Sequence, residues 1–225
     1  MNATNKKYHS GGDSIPRKPR IWYPGAKYHI MNRGNRRTTI FQDDEDHQTF
    51  LFFLTTAQEK FPFFLISYCL MTNHIHLQIE TITHQPGKIM QYILTNYSNY
   101  YNTKYGYIGH LFQGRYQGEI IDNDAYMLQT SRYIHLNPVK AKIVEKPAEY
   151  KWSSYCVFIG KSLYDLVSEY KILDYFAGDK RSKIKHYKDY VEGELNKFNH
   201  GYNDEVMSGE VIRFEERVVE DGDPS

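Results

Sequence analysis

The chain has 225 residues, enough to bury a full core, and its 28 Lys and Arg against 27 Asp and Glu give a formal net charge of +1 at pH 7. No apolar run reaches the ~18 residues needed to span a bilayer, and the polar, basic first residues do not read as a secretory leader. Cys69 and Cys156 are the two cysteines, too few for a disulfide framework, so a reducing cytoplasm is the expected compartment.

Charge is unevenly distributed. Residues 1–40 carry Lys6, Lys7, Arg17, Lys18, Arg20, Lys27, Arg33, Arg36 and Arg37 against the single acid Asp13. From Asp204 to Ser225, eight carboxylates face only Arg213 and Arg217. Such asymmetry hints at a polyanionic partner, although solvated arms show it too. The 21 tyrosines offer apolar rings on which bases can stack, and equally serve as half-buried packing.

Residues 1–20 mix Gly, Ser, Asn and Lys and read as a basic arm. Tyr23-Pro24-Gly25 signals a turn. Alternation predicts a first strand over 26–33, broken by Gly34-Asn35. Asp43 and Asp44 open a helix to about Lys60, with Phe50, Phe53, Leu54 and Ala57 at helical spacing. A second strand is expected over 61–71 and, after the Thr72-Asn73 turn, a third over 74–81. A second helix over 88–104 follows. A fourth strand is expected over 115–121. Asp122-Asn123-Asp124 caps a third helix to about Leu136, where Pro138 should bend or stop it.

This order predicts an α+β fold, a ferredoxin-like antiparallel sheet with helices on one face, over residues 21–145. A small C-terminal helical extension over 146–197 is anchored by Trp152, Tyr155, Phe158, Leu163, Leu166, Leu173 and Phe176. An acidic tail follows over 198–225.

Two groups of residues carry chemistry. His74 and His76 lie two apart on a strand, so both imidazoles leave one sheet face while Ile75, Leu77 and Ile79 leave the other. That is a bidentate metal clamp; two surface histidines satisfy the same pattern. Imidazoles alone would suggest zinc. Tyr133 and Asn137 lie four apart on one helix face. A phenol near pKa ~10 becomes a nucleophile when a metal or base assists, and a carboxamide oxygen can join a metal site. A packing tyrosine and a helix-terminal Asn read the same way, and Tyr126 competes for the nucleophile role. Candidate phosphate and base contacts are Arg33, Asn35, Arg36, Arg37, Gln113, Arg115 and Tyr116, with Arg132 and Lys140 beside Tyr133.

Four blocks together carry a resemblance. They are Tyr23-Pro24-Gly25-Ala26-Lys27-Tyr28-His29 with Asn32-Arg33-Gly34-Asn35, then Tyr68 to His76 (YCLMTNHIH), Gly109 to Tyr116 (GHLFQGRY), and Ser131 to Ala141 (SRYIHLNPVKA). In this order the chain resembles the IS200-like single-tyrosine transposases, and more closely the REP-associated tyrosine transposases. The resemblance implies the HUH endonuclease version of the fold, with His74 and His76 as the metal-binding histidines and Tyr133 as nucleophile. It places Asn137 where relatives carry a Gln as third ligand, and it replaces zinc by Mg²⁺ or Mn²⁺. Thr72 departs from the Pro of many relatives, which should alter the turn more than the chemistry.

It further implies a metal-dependent single-stranded DNA endonuclease and strand transferase acting through a 5′-phosphotyrosine, on hairpin DNA with a flanking single-stranded tag. A cytoplasmic, nucleoid-associated monomer or homodimer is expected. The alternatives are a hairpin-binding protein that does not cut, and a small-molecule metallohydrolase. The latter lacks further ligands, since no second HxH, HExxH or Cys-pair motif occurs.

Overall fold

A computed structural model describes residues 21–162 and 165–199. The basic arm, Leu163 and the stretch from 200 onward lie outside the described residues. The elements are β1 (Lys27–Arg33), α1 (Asp44–Lys60), β2 (Phe63–Met71), β3 (His74–Thr81), α2 (Pro86–Tyr105), β4 (Gln117–Ile121) and α3 (Asp124–Lys140), then α4 (Tyr155–Phe158), α5 (Tyr170–Leu173) and α6 (Lys180–Asn199). The strands form one antiparallel sheet in the order β2-β3-β1-β4, the ferredoxin-like arrangement expected.

Local chemistry accounts for the ends. The Asp43 carboxylate accepts from the Asp46 N–H at 2.9 Å and caps α1. Pro86 stands in the first turn of α2, where its missing N–H costs nothing, and Gly106 ends that helix in the left-handed region at φ 57°. Asn123 caps α3 through the Tyr126 N–H.

Two-residue alternation gives the sheet two different faces. Tyr28 and Ile30 of β1 and Ile75, Leu77 and Ile79 of β3 are buried in one core with Phe50 and Leu54 of α1 and Ile89, Ile93 and Tyr97 of α2. The other face carries Ser67 and Cys69 of β2, His74, His76 and Gln78 of β3, and His29, Met31 and Arg33 of β1. The third helix covers this second face, so the sheet is a middle layer rather than one with helices on one face alone. Gln78 bridges the layers. It is fully buried, accepts from the Ser67 hydroxyl at 2.8 Å and donates to the Met127 carbonyl at 3.0 Å.

The third helix does not stop at Pro138. It continues to Lys140 with Pro138 buried inside it. The proline lacks the N–H that would reach the Ile134 carbonyl, but Ala141 N–H still donates to the Asn137 carbonyl at 2.9 Å. Burial of Ile134, Leu136 and Pro138 outweighs one lost backbone bond.

Residues after 146 are part of the same core, not a loose appendage. Tyr155, Phe158, Leu166, Val167, Ile172, Leu173, Tyr187 and Val191 join the main apolar cluster. The same segment covers the exposed edge of β2: Leu70 N–H donates to Trp152 O, Ser154 N–H to Tyr68 O, and Ser168 N–H to Leu65 O. An edge strand covered this way cannot template aggregation.

Candidate active site

The site is built on the second face of the sheet, where β1 and β3 run side by side under α3. The register sets Arg33 opposite His74 and Met31 opposite His76. The rings of His74 and His76 lie 5.0 Å apart. The alternation expected from the HxH pattern therefore holds: both imidazoles leave the face that α3 covers.

Each imidazole is held by a neighbour through Nδ1. His74 Nδ1 is 2.7 Å from Asn73 Oδ1, and His76 Nδ1 is 3.1 Å from His29 Nε2. Both rings are kept neutral. Burial, and the nearby Arg33 charge, push His74 down to about 4. Burial, then the charges of His29, His74 and Arg33, push His76 well below its ordinary value. Neutral imidazoles pinned at Nδ1 are the form in which histidine binds a cation. Among the described residues no cluster of three or more His, Cys, Asp or Glu has metal-holding geometry. A cation here would thus take two imidazoles, with an amide, water or phosphate oxygen completing its shell.

Tyr133 reaches the same place from α3. Its ring meets His76 edge-on at 5.5 Å and His29 at 5.7 Å. Burial raises its phenol above the usual value, a hydrogen bond from Asn137 and the Arg33 charge oppose that rise, and Glu119 reinforces it. At neutral pH the phenol holds its proton. Asn137 is buried, one turn on, and its side-chain amide donates to the Tyr133 carbonyl at 3.1 Å. Tyr126, the competing tyrosine, is committed elsewhere: its hydroxyl donates to Glu119 at 2.9 Å.

A family model described as "Transposase IS200 like" matches residues 23–137, just over half of the chain and all the residues above. The chain belongs to the IS200-like transposase family. Among solved structures it is similar to a REP-associated tyrosine transposase bound to a REP hairpin, with 17% identity, a TM-score of 0.56, and coverage of 74% of this chain and 93% of that one. At that identity the likeness establishes the shared fold. A protein described as a candidate transposase from Deinococcus radiodurans aligns at 16% identity and a TM-score of 0.38 over 52% of this chain and 95% of that one, too distant to carry an argument. No curated protein sequence matches.

In this IS200-like transposase the remaining candidate residues divide into two groups. Arg33, Asn35, Arg36, Arg37, Gln113 and Arg115 are brought together at the His74 end of the sheet. Asn35 N–H donates to the Leu111 carbonyl at 2.7 Å, Gln113 N–H to the Arg33 carbonyl at 2.9 Å, and the Asn73 amide to the Arg37 carbonyl at 3.3 Å. Arg33, Arg36, Arg37, Gln113 and Arg115 are exposed and Asn35 is half-buried. Gly34 makes the turn possible, because a Cβ there would lie 2.2 Å from the Thr38 carbonyl oxygen. Lys140, exposed, stands 5.3 Å from the Tyr133 ring.

Tyr116 and Arg132 have partners within the protein. Tyr116 is 6% exposed and packs into the core. Its strand begins only at Gln117, and its ring is folded over Gly118 rather than outward. Arg132 pairs with Glu194 at 3.0 Å and lies over the Tyr190 ring at 4.4 Å, so it ties α3 to α6. Its neighbour position to Tyr133 turns it about a quarter of the helix away. The residue missed from sequence is His29. It stands at the end of the first family block, but nothing local shows that it would face His76 across a strand pair.

Proposed function

We propose that the chain is a metal-dependent single-stranded DNA endonuclease and strand transferase that works through Tyr133, on hairpin DNA. The observation that carries this reading is the convergence of two neutral imidazoles and the Tyr133 ring on one sheet face, beside a cluster of exposed arginines. The DNA class is carried over from the structural neighbour, which is described as bound to a REP hairpin.

His74 and His76 would hold Mg²⁺ or Mn²⁺, with Asn137 as the candidate third ligand. Such an ion polarises a phosphate and offsets the charge that develops there. The residues of the chain do the rest. Arg33, Arg36, Arg37, Gln113 and Arg115, with Asn35, bind phosphates and place the strand. The Tyr133 oxygen attacks phosphorus, the P–O3′ bond breaks, and the phenol proton is transferred so that the leaving strand ends in a 3′-hydroxyl. The product is a 5′-phosphotyrosine. Attack by another 3′-hydroxyl reverses the step, joins strands and returns the proton to Tyr133. The Arg33 charge favours the phenolate against burial.

The test uses a labelled hairpin oligonucleotide with a single-stranded flank. The full chain with Mg²⁺ or Mn²⁺ should form a denaturation-resistant adduct, and a chelator should prevent it. Tyr133→Phe should abolish the adduct and leave hairpin affinity within a few-fold, whereas Tyr126→Phe should still form it. An adduct retained in Tyr133→Phe and lost in Tyr126→Phe would overturn the assignment.

A further inference from the structure

His29 is a third imidazole in the site, 6% exposed, with no part in the mechanism above. It is two residues before Met31 on β1, and Met31 pairs with His76, so the two histidines are diagonal neighbours on one face. Their rings stack at 5.3 Å with 23° between planes, and His29 Nε2 lies 3.1 Å from His76 Nδ1.

One proton must lie between these two nitrogens for a hydrogen bond to form. If His29 supplies it, His76 carries its own proton on Nε2 and has no lone pair to offer outward. If His76 supplies it from Nδ1, Nε2 is free to bind. The neighbouring ligand shows which arrangement this site uses. Asn73 donates through Nδ2 to the Arg37 carbonyl, so its Oδ1 faces His74, and an amide oxygen only accepts. His74 must therefore be the Nδ1–H tautomer, with Nε2 outward.

We propose that His29 is a positioning residue for the metal site, accepting the Nδ1–H of His76 so that His76 presents Nε2 to the cation in step with His74. His29 itself is then the Nδ1–H tautomer. Its edge also meets the Tyr133 ring at 5.7 Å, so it contacts both halves of the site. This inference rests on the metal reading given under Proposed function.

Two measurements test it without relying on cleavage. The first is the ¹⁵N–¹H spectrum of the histidine rings in the full, metal-free chain near pH 7.5. His76 should carry its proton on Nδ1; a proton on Nε2 would overturn the proposal whatever the metal does. The second is Mn²⁺ affinity, read from the electron paramagnetic resonance signal of the free ion, for the full chain and two variants. His29→Phe keeps a stacking ring without an acceptor, and His29→Gln keeps an acceptor oxygen without the ring. His29→Phe should bind Mn²⁺ about tenfold more weakly, and His29→Gln should stay closer to the unaltered chain. The opposite order, with Phe tolerated and Gln not, would make His29 a packing residue and sink the proposal. Failure of the unaltered chain to bind Mn²⁺ would overturn the metal reading and this inference with it. Binding with the wrong tautomer would overturn this inference alone.

Discussion

Arg36 and Arg37 both adopt positive φ, at 51° and 61°. For a residue with a Cβ this conformation costs about 1–2 kcal/mol. Both side chains are exposed, so packing does not offset the cost. Strain kept at exposed arginines beside His74 fits a turn held for binding rather than for stability. The turn is closed by Arg37 N–H to Gly34 O at 3.0 Å and Thr38 N–H to Asn35 O at 2.9 Å, which fix the backbone of both arginines. Arg36→Gly should then separate the two quantities. Glycine relieves the strain but adds about 0.5–1 kcal/mol of unfolded-chain entropy. Denaturant melts should show unchanged stability or a gain of up to about 1 kcal/mol. Hairpin affinity in a salt titration should fall, with the slope against log salt reduced by about 1. A parallel loss of stability and affinity would count against a functional origin of the strain.

At the scale of elements, the decisive one is α3. It brings Tyr133 to the histidines on one side and is tied to the rest of the molecule on the other. His135, fully buried, is 2.6 Å from the Tyr187 hydroxyl through Nδ1 and 2.7 Å from the Ser154 hydroxyl through Nε2. Ser131 meets the same Tyr187 hydroxyl at 2.6 Å, and Ser154 also accepts from the Tyr68 N–H of β2 at 2.9 Å. One network thus joins α3, α6 and the sheet. Leucine at 135 would leave two buried hydroxyls short of a partner, at about 1–3 kcal/mol each. His135→Leu should lose about 2–4 kcal/mol in urea unfolding, while serine at 131 alone, replaced by Ala, should lose less. The α1–α2 pair is held differently, by Lys104 reaching Asp43, Glu45 and the buried Asp46 at 2.8–3.0 Å. That clamp steadies the helices on the apolar face and stands apart from the site.

At the scale of the whole molecule, several buried histidines make the fold acid-sensitive. Burial pushes His135 down to about 3 and lowers His47, whose ring is stacked between Phe41 and Trp152. In the unfolded chain both titrate near their ordinary value of about 6.5. The folded pKa is depressed, so the unfolded state binds more protons between about pH 6.5 and 3. Stability is fully present above about 6.5 and falls as the pH drops through that window. Thermal melts at pH 7.5, 6 and 5 should show a falling midpoint, with the fall reduced in His135→Leu relative to its own value at pH 7.5. The extension has an equally global role. Ending the chain after Glu145 would uncover the β2 edge and remove Tyr155, Phe158 and Tyr187 from the core. The shortened protein should aggregate or elute as a mixture in size-exclusion chromatography, rather than behave as a free catalytic domain.

The alternation of His74 to Thr81, the helical spacing of α1 and α2, and the Asn123 cap are local patterns, and a period of 2.0 or 3.6 is written into adjacent residues. They determined the four strands, the helices α1 to α3 and the common face of His74 and His76. The spacing of four put Tyr133 and Asn137 on one helical stripe, and the roles expected of them came from the family resemblance. Other features depended on pairings between segments far apart in the chain. His29 meets His76 through a strand register 47 residues apart. Tyr116 turns inward with its ring close over Gly118, where a Cβ would lie 3.1 Å from it. Arg132 is taken by Glu194, and α3 runs through Pro138 because Ile134, Leu136 and Pro138 are buried. Periodicity fixes which way a side chain leaves its own backbone. What it meets there is decided by packing and register, and that is why the tertiary structure alone supplied the third imidazole and gave Tyr116 and Arg132 partners within the protein.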